Sequence, residues 1–295
     1  MSAPDAASPA AAAAAPPARL GALRALLRSP SGAVGLAIVV ILVIAAVFAP
    51  LIAPHDPFRM AAGPRLTPPS ADHLMGTDQL GRDVFSRIVY GARLTLQIGV
   101  IAVGISLTAG LLLGLVAGYA GGWPERILMR LVDVLFSFTE IVIALACLAI
   151  LGVGLVNAMI AIGIASIPFY ARITHSVVLV EKNKPYFEAA IAAGASRLRL
   201  IFVHLLPNVI PTLIVVGTLG VSTAVLAAAG LSFLGLGAQP PQPEWGFMLS
   251  SSRDLISRAP WMMIFPGLAI AITVLGFNLL GDGVREVLDP RQRAR

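Results

Sequence analysis

Residues 181–208 read EKNKPYFEAAIAAGASRLRLIFVHLLPN, and they parse as two short helices meeting at a glycine. Pro185 suits a first helical turn, where its missing N–H has no partner to lose. Glu188 through Ala193 is strongly helix-forming, Gly194 can take the left-handed conformation that ends a helix, and Ser196 can cap the next one. The second helix is expected to run from Arg197 towards Pro207. The first has little bulk at Ala189, Ala190, Ala192, Ala193 and Gly194, with aromatic anchors at Tyr186 and Phe187. Such a helix can be inserted into a groove of another protein. An ordinary amphipathic loop at a membrane surface is the other reading of the same residues.

On both sides the segment gives way to long apolar runs. Crossing a hydrocarbon core of about 30 Å takes roughly 20 apolar residues in a helix. Six windows qualify, from Ala33 to Ala53, Leu94 to Ala117, Leu131 to Leu151, Asn157 to Val178, Asn208 to Gly230 and Met262 to Leu280. The whole chain agrees: 57% of it is hydrophobic, 12% is charged and the mean hydropathy is +0.87. No water-soluble domain of this length needs that balance. The expected fold is therefore an all-α integral membrane protein of about six transmembrane helices.

An even number of crossings puts both termini on one side, and basic residues indicate the cytoplasmic side. With the termini inside, only Arg59, Arg65, Arg82, Arg87, Arg93, Arg253 and Arg258 fall outside, leaving 14 of the 21 Lys and Arg within. The five arginines of the first outer loop oppose this orientation, but Asp56, Asp72, Asp78 and Asp83 nearly cancel them. The chain thus divides into a disordered, basic N-terminal segment (1–32), a first transmembrane helix (33–53), an extracytoplasmic loop (54–93), a core of five transmembrane helices (94–281) carrying the cytoplasmic loop 181–207, and a cytoplasmic tail (282–295). Within the first segment, residues 1–17 are nearly all Ala, Pro and Ser and bury too little apolar surface to order. Arg19, Arg24 and Arg28 before the first span resemble the start of a signal peptide, yet the run to Ala53 is long enough to cross a bilayer and no cleavage is expected.

Several chemistries are excluded. The net charge of +6 arises from residues scattered between apolar runs, forming no stripe for nucleic acid. Lysine occurs only at Lys182 and Lys184, so the phosphate-binding pattern GxxxxGK[ST] is absent. A single cysteine, Cys147, rules out an intrachain disulfide and a site built on several thiolates. No catalytic residue, cofactor or metal site is expected on this chain. A membrane-embedded enzyme would need a nucleophile with a base, whereas His175 and His204 stand alone near the cytoplasmic face and His55 and His73 lie outside.

The loop quoted at the outset resembles the cytoplasmic signature of the membrane permeases of ATP-binding-cassette importers, which is Glu-Ala-Ala, three residues, Gly, nine residues, then Ile-x-Leu-Pro. Here Glu188, Ala189, Ala190, Gly194, Leu206 and Pro207 stand at the matching places, with Ala195 and Ser196 after the glycine and His204 where the general pattern has Ile. That histidine resembles the dipeptide, oligopeptide and nickel branch. So do HLMGTDQLGRDVFSRIVYGARLTL, beginning at His73, and AGLSFLGLGAQPPQPEWG, ending at Gly246. The resemblance runs from about residue 33 to Pro290 and is to the C-type subunit. It implies a type I importer permease forming half of a pore in the inner membrane. The implied partners are a homologous permease, two cytoplasmic ATPases that bind the ATP and Mg, and an extracytoplasmic solute-binding protein. It also implies that the helix around Glu188 docks on an ATPase.

The remaining candidates are charges and glycines. Asp133 and Glu140 are seven apart in the third window, hence expected on one helical face. Arg172 is expected to pair with Asp133. Glu140 is a candidate to face the pore and meet a peptide amino group or a metal cation. The outer motif, Gly76, Thr77, Asp78, Gly81, Arg82, Asp83, Arg87, Gly91 and Arg93, suits a hydrogen-bonded cap over the pore entrance, either paired locally or in contact with a partner. Trp245 and Trp261 are expected at the membrane interface. Gly110, Gly114 and Gly118 line one helical face, for packing within the chain or against a partner. Pro211 and Pro266 are hinge candidates. A proton-coupled secondary transporter is the alternative, with Asp133 and Glu140 relaying protons. Such carriers usually carry an internal repeat, and none is visible here.

Overall fold

The computed structural model describes residues 19–288. The stretch 1–17 expected to be unordered lies outside them, as do residues 289–295. Among the described residues the chain is helical with no strand, only an isolated bridge between Thr77 and Asp83.

A helix α1 (Arg19–Arg28) leads into α2 (Pro30–Val47), capped by Ser29, whose hydroxyl accepts the Gly32 N–H at 3.4 Å. The N-terminal segment is therefore helical from Arg19, not unordered to residue 32. A short α3 (Ala49–Ile52) carries Pro50 in its first turn after a bend at Phe48, so the first apolar window is two helices. The loop that follows ends at Asp83, where α4 (Val84–Ala120) starts, ten residues before the apolar window does. Then come α5 (Gly122–Phe136), α6 (Glu140–Leu151) and α7 (Leu155–Lys182). The third window is broken: α5 and α6 meet at 92° across residues 137–139. Beyond α7 lie α8 (Pro185–Ala192), a single turn α9 (Arg197–Arg199) and, after a wider π-helical stretch at Leu200–Leu205, α10 (Leu206–Phe233). These last three pieces form one apolar span, Arg197–Phe233. The second arm of the elbow is thus the start of the fifth span and not a separate short helix. Pro207 accounts for the wide turn, because it offers no N–H and its ring would crowd the Val203 carbonyl in a regular α-helix. The chain closes with α11 (Trp245–Ser252) and α12 (Trp261–Leu288), so the first residues of the expected tail are helical too.

Hydrogen bonds between elements fix which ends meet. Ser29, before α2, donates to Glu286 near the end of α12 at 2.5 Å. Lys182, ending α7, donates to the carbonyls of Gly118 and Tyr119 at 2.9 and 3.1 Å, near the end of α4. At the opposite end Arg93 of α4 donates to Val47, closing α2, at 2.9 Å. Trp261, opening α12, donates to the Thr77 carbonyl at 3.1 Å. The Gly154 N–H reaches the Leu236 carbonyl at 3.3 Å, joining the start of α7 to the end of α10. The described chain therefore starts and finishes at one end of the bundle, beside the elbow, which requires an even number of passes. Five helices are long and apolar enough to cross a membrane, and the bent pair α5 and α6 supplies the sixth pass.

In lipid, helices gain little from hiding apolar surface and associate where small residues let backbones approach. One such seam lies between α4 and α7. A β-carbon on Gly110 would sit 2.4 Å from the Tyr170 side chain, and one on Gly114 would sit 2.4 Å from the Ala171 carbonyl oxygen. Gly118 meets Val178 in the same way. The glycine stripe packs within the chain. A second seam joins α2 to α12, where a β-carbon on Gly35 would fall 2.3 Å from the Leu280 nitrogen. Gly114→Ala should destabilise the purified protein in detergent by about 1–3 kcal/mol in thermal or denaturant unfolding, because backbone has to move. Gly104→Ala, where nothing lies within 4 Å, should be neutral or gain up to about 1 kcal/mol of helix propensity.

Candidate functional site

Three places carry polar chemistry. The first is the elbow. Helix α8 ends as the glycine rule expects: Gly194 has φ +77°, and the Ala195 N–H reaches back to the Ala190 carbonyl at 3.1 Å. Ser196 then caps the next turn, its hydroxyl accepting from the Arg199 N–H at 3.4 Å. Phe187 is buried in the bundle core. Tyr186 donates to Glu181 at 2.6 Å and accepts from Asn208 at 3.2 Å, and Lys184 donates to Glu181 at 2.5 Å. The phenol is thereby strapped to the end of α7 and to the start of α10. Burial of the hydroxyl, followed by its bond to the Glu181 carboxylate, raises the Tyr186 pKa although the ring edge is accessible. His204 lies beside the Tyr186 ring, with centroids 6.3 Å apart, while Leu206 and Pro207 open α10. Glu188, Ala189, Ala192, Ala193 and Gly194 are exposed. So are the large apolar side chains Ile191, Leu198, Phe202 and Val203, a combination that a free surface in water does not favour. A β-carbon added at Gly194 would meet nothing of this chain within 4 Å, so the tip of the elbow projects freely.

The second place is the cap at the opposite end. Asp78 accepts from the backbone of Leu80 and Arg82 at 2.8 and 2.9 Å and from the Arg82 side chain at 2.6 Å. Arg87, 1% exposed, lies 3.9 Å from Asp78 and donates to the carbonyls of Pro57, Pro241 and Gln242. It ties the loop between α3 and α4 to the loop that follows α10. Thr77 donates to the Pro64 carbonyl at 2.6 Å, while Gly76 and Gly81 turn the loop with φ +76° and +71°. Gly91 leaves room for Trp245, whose indole donates to the Ile88 carbonyl at 3.0 Å. Trp245 is therefore a core residue, correcting the membrane-interface expectation: it is 1% exposed. Trp261 likewise spends its N–H on the cap. Asp78, Arg82 and Arg87 thus all find partners within this chain.

Sequence reasoning left His73 and Glu244 without a role, and gave Asp83 no partner of its own. Asp83 caps α4 through the Ser86 N–H at 2.8 Å and hydroxyl at 2.7 Å, and its other oxygen meets His73 at 2.9 Å. A His and an Asp ten residues apart give no sequence signal. Glu244 is 2% exposed and caps α11 through the N–H groups of Gly246 and Phe247 at 2.9 and 2.8 Å. Burial raises its pKa, and those two backbone bonds oppose the rise.

The third place is the break between α5 and α6. Arg172 pairs with Asp133 at 2.6 Å, as expected, and lies over the Phe136 ring at 4.1 Å. Nearby His175 meets Glu125 at 2.7 Å. Asp133 and Glu140 do not share a helical face, because the chain turns at Ser137 and restarts at Thr139. Glu140 instead occupies the first turn of α6, where the helix dipole favours a negative charge. Ser166 donates to it. Ser166 stands eleven residues after Leu155 and sixteen before Lys182, which places Glu140 near mid-depth of the bundle. A cavity of about 130 Å³ is lined there by Glu140, Ser166, Ser106, Tyr170, Gly220 and Thr223. Pro168, inside α7, was not singled out from the sequence, whereas Pro211 and Pro266 lie inside α10 and α12.

Residues 110–294 match the family model described as "Binding-protein-dependent transport system inner membrane component", and residues 20–69 match the "N-terminal TM domain of oligopeptide transport permease C". Among curated relatives, the dipeptide transport system permease protein DppC of Alkalihalophilus pseudofirmus is 46% identical over 92% of this chain and 90% of its own. The di/tripeptide transport system permease protein DppC of Pseudomonas aeruginosa is 49% identical, covering 87% of each. The glutathione transport system permease protein GsiD of Pectobacterium atrosepticum is 45% identical over 87% of this chain and 85% of its own. In fold, the chain is similar to a solved chain of the MetNI methionine ABC transporter in an inward-facing conformation, with a TM-score of 0.58, 22% identity, and coverage of 68% of this chain and 96% of that one.

Proposed function

Because the chain belongs to the family of binding-protein-dependent transport system inner membrane components, we propose that it passes small peptides through a pore shared with a homologous permease, driven by ATPases that grip its elbow. That it is a permease subunit of an ABC importer, with the type I fold, follows from the family and the fold match. The peptide class, the docking residues and the orientation are the proposal.

The observation that carries it is the elbow: a small-residue tip with exposed Glu188 and apolar flanks, strapped by Tyr186 to two membrane helices at once. A sideways pull on α8 reaches α7 through Glu181 and α10 through Asn208, converting a shift of the docking partner into helix tilt. The relatives named for dipeptides, di/tripeptides and glutathione support the solute class. ATP and Mg then belong to the ATPase chains, and an extracytoplasmic binding protein delivers the solute to the cap. In this orientation the elbow and both chain ends face the cytoplasm, and Glu140 borders the solute path.

Site-specific thiol labelling tests the arrangement. Cysteines placed at Lys182 and Lys184, in a Cys147→Ser background, should react with an impermeant maleimide only when the cytoplasmic face is open, and assembly with the ATPases should protect the elbow. Labelling from outside intact cells would sink the reading. Uptake of a dipeptide by right-side-out vesicles supplied with the binding protein should require ATP inside them, whereas uptake driven by a proton gradient without the ATPases would favour the secondary-transporter alternative.

A further inference from the structure

The outer cap brings together two imidazoles and a carboxylate that the transport reading does not use. His55 follows α3, His73 lies in the middle of the first outer loop, and Asp83 caps α4. Their candidate ligand atoms all lie within 4.8 Å of one another. His73 Nδ1 stands 2.9 Å from one Asp83 oxygen, and His55 Nδ1 stands 3.9 Å from the other. The two rings are tilted by 33° with centroids 4.9 Å apart. His73 and Asp83 are 6% and 0% exposed.

A second observation points to an occupant. His55 Nδ1 is inaccessible to solvent and has no hydrogen-bond partner. Protonated, it is too far from Asp83 for a hydrogen bond; unprotonated, its lone pair faces a carboxylate and gains nothing. A cation between the three groups accounts for both facts. Metal–nitrogen bonds of about 2.0–2.1 Å in a tetrahedral site put neighbouring ligand atoms roughly 3.3–3.4 Å apart. The present separations bracket that value, and His55, with its side chain 31% exposed, has room to close in.

The surroundings are built as a ligand shell requires. Ser86 donates its hydroxyl and its N–H to Asp83 Oδ2, at 2.7 and 2.8 Å, and accepts the His55 backbone N–H at 3.2 Å. One serine therefore orients the carboxylate and anchors the neighbouring histidine, the outer-shell arrangement that fixes ligands at metal centres. Two neutral imidazoles and one carboxylate suit a borderline divalent ion such as zinc, with the fourth position open towards the exposed edge of His55. We propose that His55, His73 and Asp83 form a binding site for a zinc-class divalent cation on the outer cap, pinning the first span to the start of α4. On binding, His73 places its proton on Nε2 and presents Nδ1 to the metal. The inference stands independently of which solute crosses the pore.

The test uses the purified complex, stripped with chelator and then titrated with Zn²⁺ by calorimetry, with Co²⁺ as a spectroscopic substitute. The complex should bind one high-affinity Zn²⁺ that His55→Ala weakens at least 100-fold, and Co²⁺ should show intense tetrahedral visible bands that the variant lacks. Ser86→Ala, which keeps all three ligands, should weaken binding by about tenfold. His55→Ala changes a half-exposed side chain that makes no side-chain hydrogen bond, so folding of the variant is checked by an unchanged elution profile. Absence of saturable Zn²⁺ binding to the wild type would overturn the proposal, as would equal binding by wild type and His55→Ala.

Discussion

Gly194→Leu should reduce ATP-driven uptake at least tenfold while leaving the assembled chain in the membrane. The backbone at Gly194 is left-handed, φ +77°, which costs an ordinary side chain about 1–2 kcal/mol. That penalty is small against a six-pass bundle, and the space around the added carbon is empty, so no neighbour within this chain is displaced. What changes is the tip of the elbow, where an isobutyl group would replace a hydrogen on the face proposed to enter the ATPase groove. Gly194→Ala shares the backbone strain but adds little bulk, so it should keep most of the uptake. The contrast separates strain from docking. Solute-stimulated ATP hydrolysis at the wild-type rate in the purified Gly194→Leu complex would refute the docking role, and equal losses in both variants would assign the effect to backbone strain.

The elbow could be read from the chain because its signals are local. Pro185, Gly194 and Ser196 each act within one turn, and each acts in the structure as its chemistry dictates. The existence of six passes was legible for a similar reason, since hydrophobicity averaged over twenty residues does not depend on tertiary contacts. Their ends were not. Helix α4 begins ten residues before its apolar window because Asp83 caps it and because Ser86 and Arg87 are buried by the cap loops instead of by lipid. The break at residues 137–139 also escaped notice: Ser-Phe-Thr carries neither Gly nor Pro, and its average hydropathy reads as a continuous span. The π-helical stretch had a visible cause in Pro207, but whether a proline kinks, ends or widens a helix is decided by what packs around it. Trp245 shows the limit of composition rules. An aromatic near a span end suits the interface on average, yet here Gly91 opens a slot that the indole fills.

Glu140→Gln should lower uptake of peptides with a free N-terminal ammonium about tenfold, while uptake of the same peptides N-acetylated changes less than twofold. A charged carboxylate at mid-depth facing lipid costs roughly 2.5–3.5 kcal/mol, so the face that exposes Glu140 on the isolated chain has to border water or protein in the assembly. Ser166 and the start of α6 stabilise the carboxylate from one side only, leaving the side towards the cavity of about 130 Å³ open. A primary ammonium entering there meets Glu140 with Ser106, Tyr170 and Thr223 close by, where the low dielectric strengthens the attraction. Gln keeps the shape and the hydrogen-bonding capacity but removes the charge, and a tenfold loss corresponds to about 1.4 kcal/mol. Equal losses for free and acetylated peptides would make Glu140 a structural cap of α6 instead of a contact for the solute. Unchanged uptake of both would remove it from the path altogether. The comparison is made at saturating peptide, where delivery by the proposed binding protein no longer limits the rate and the charge of the solute is tested against the wall it passes.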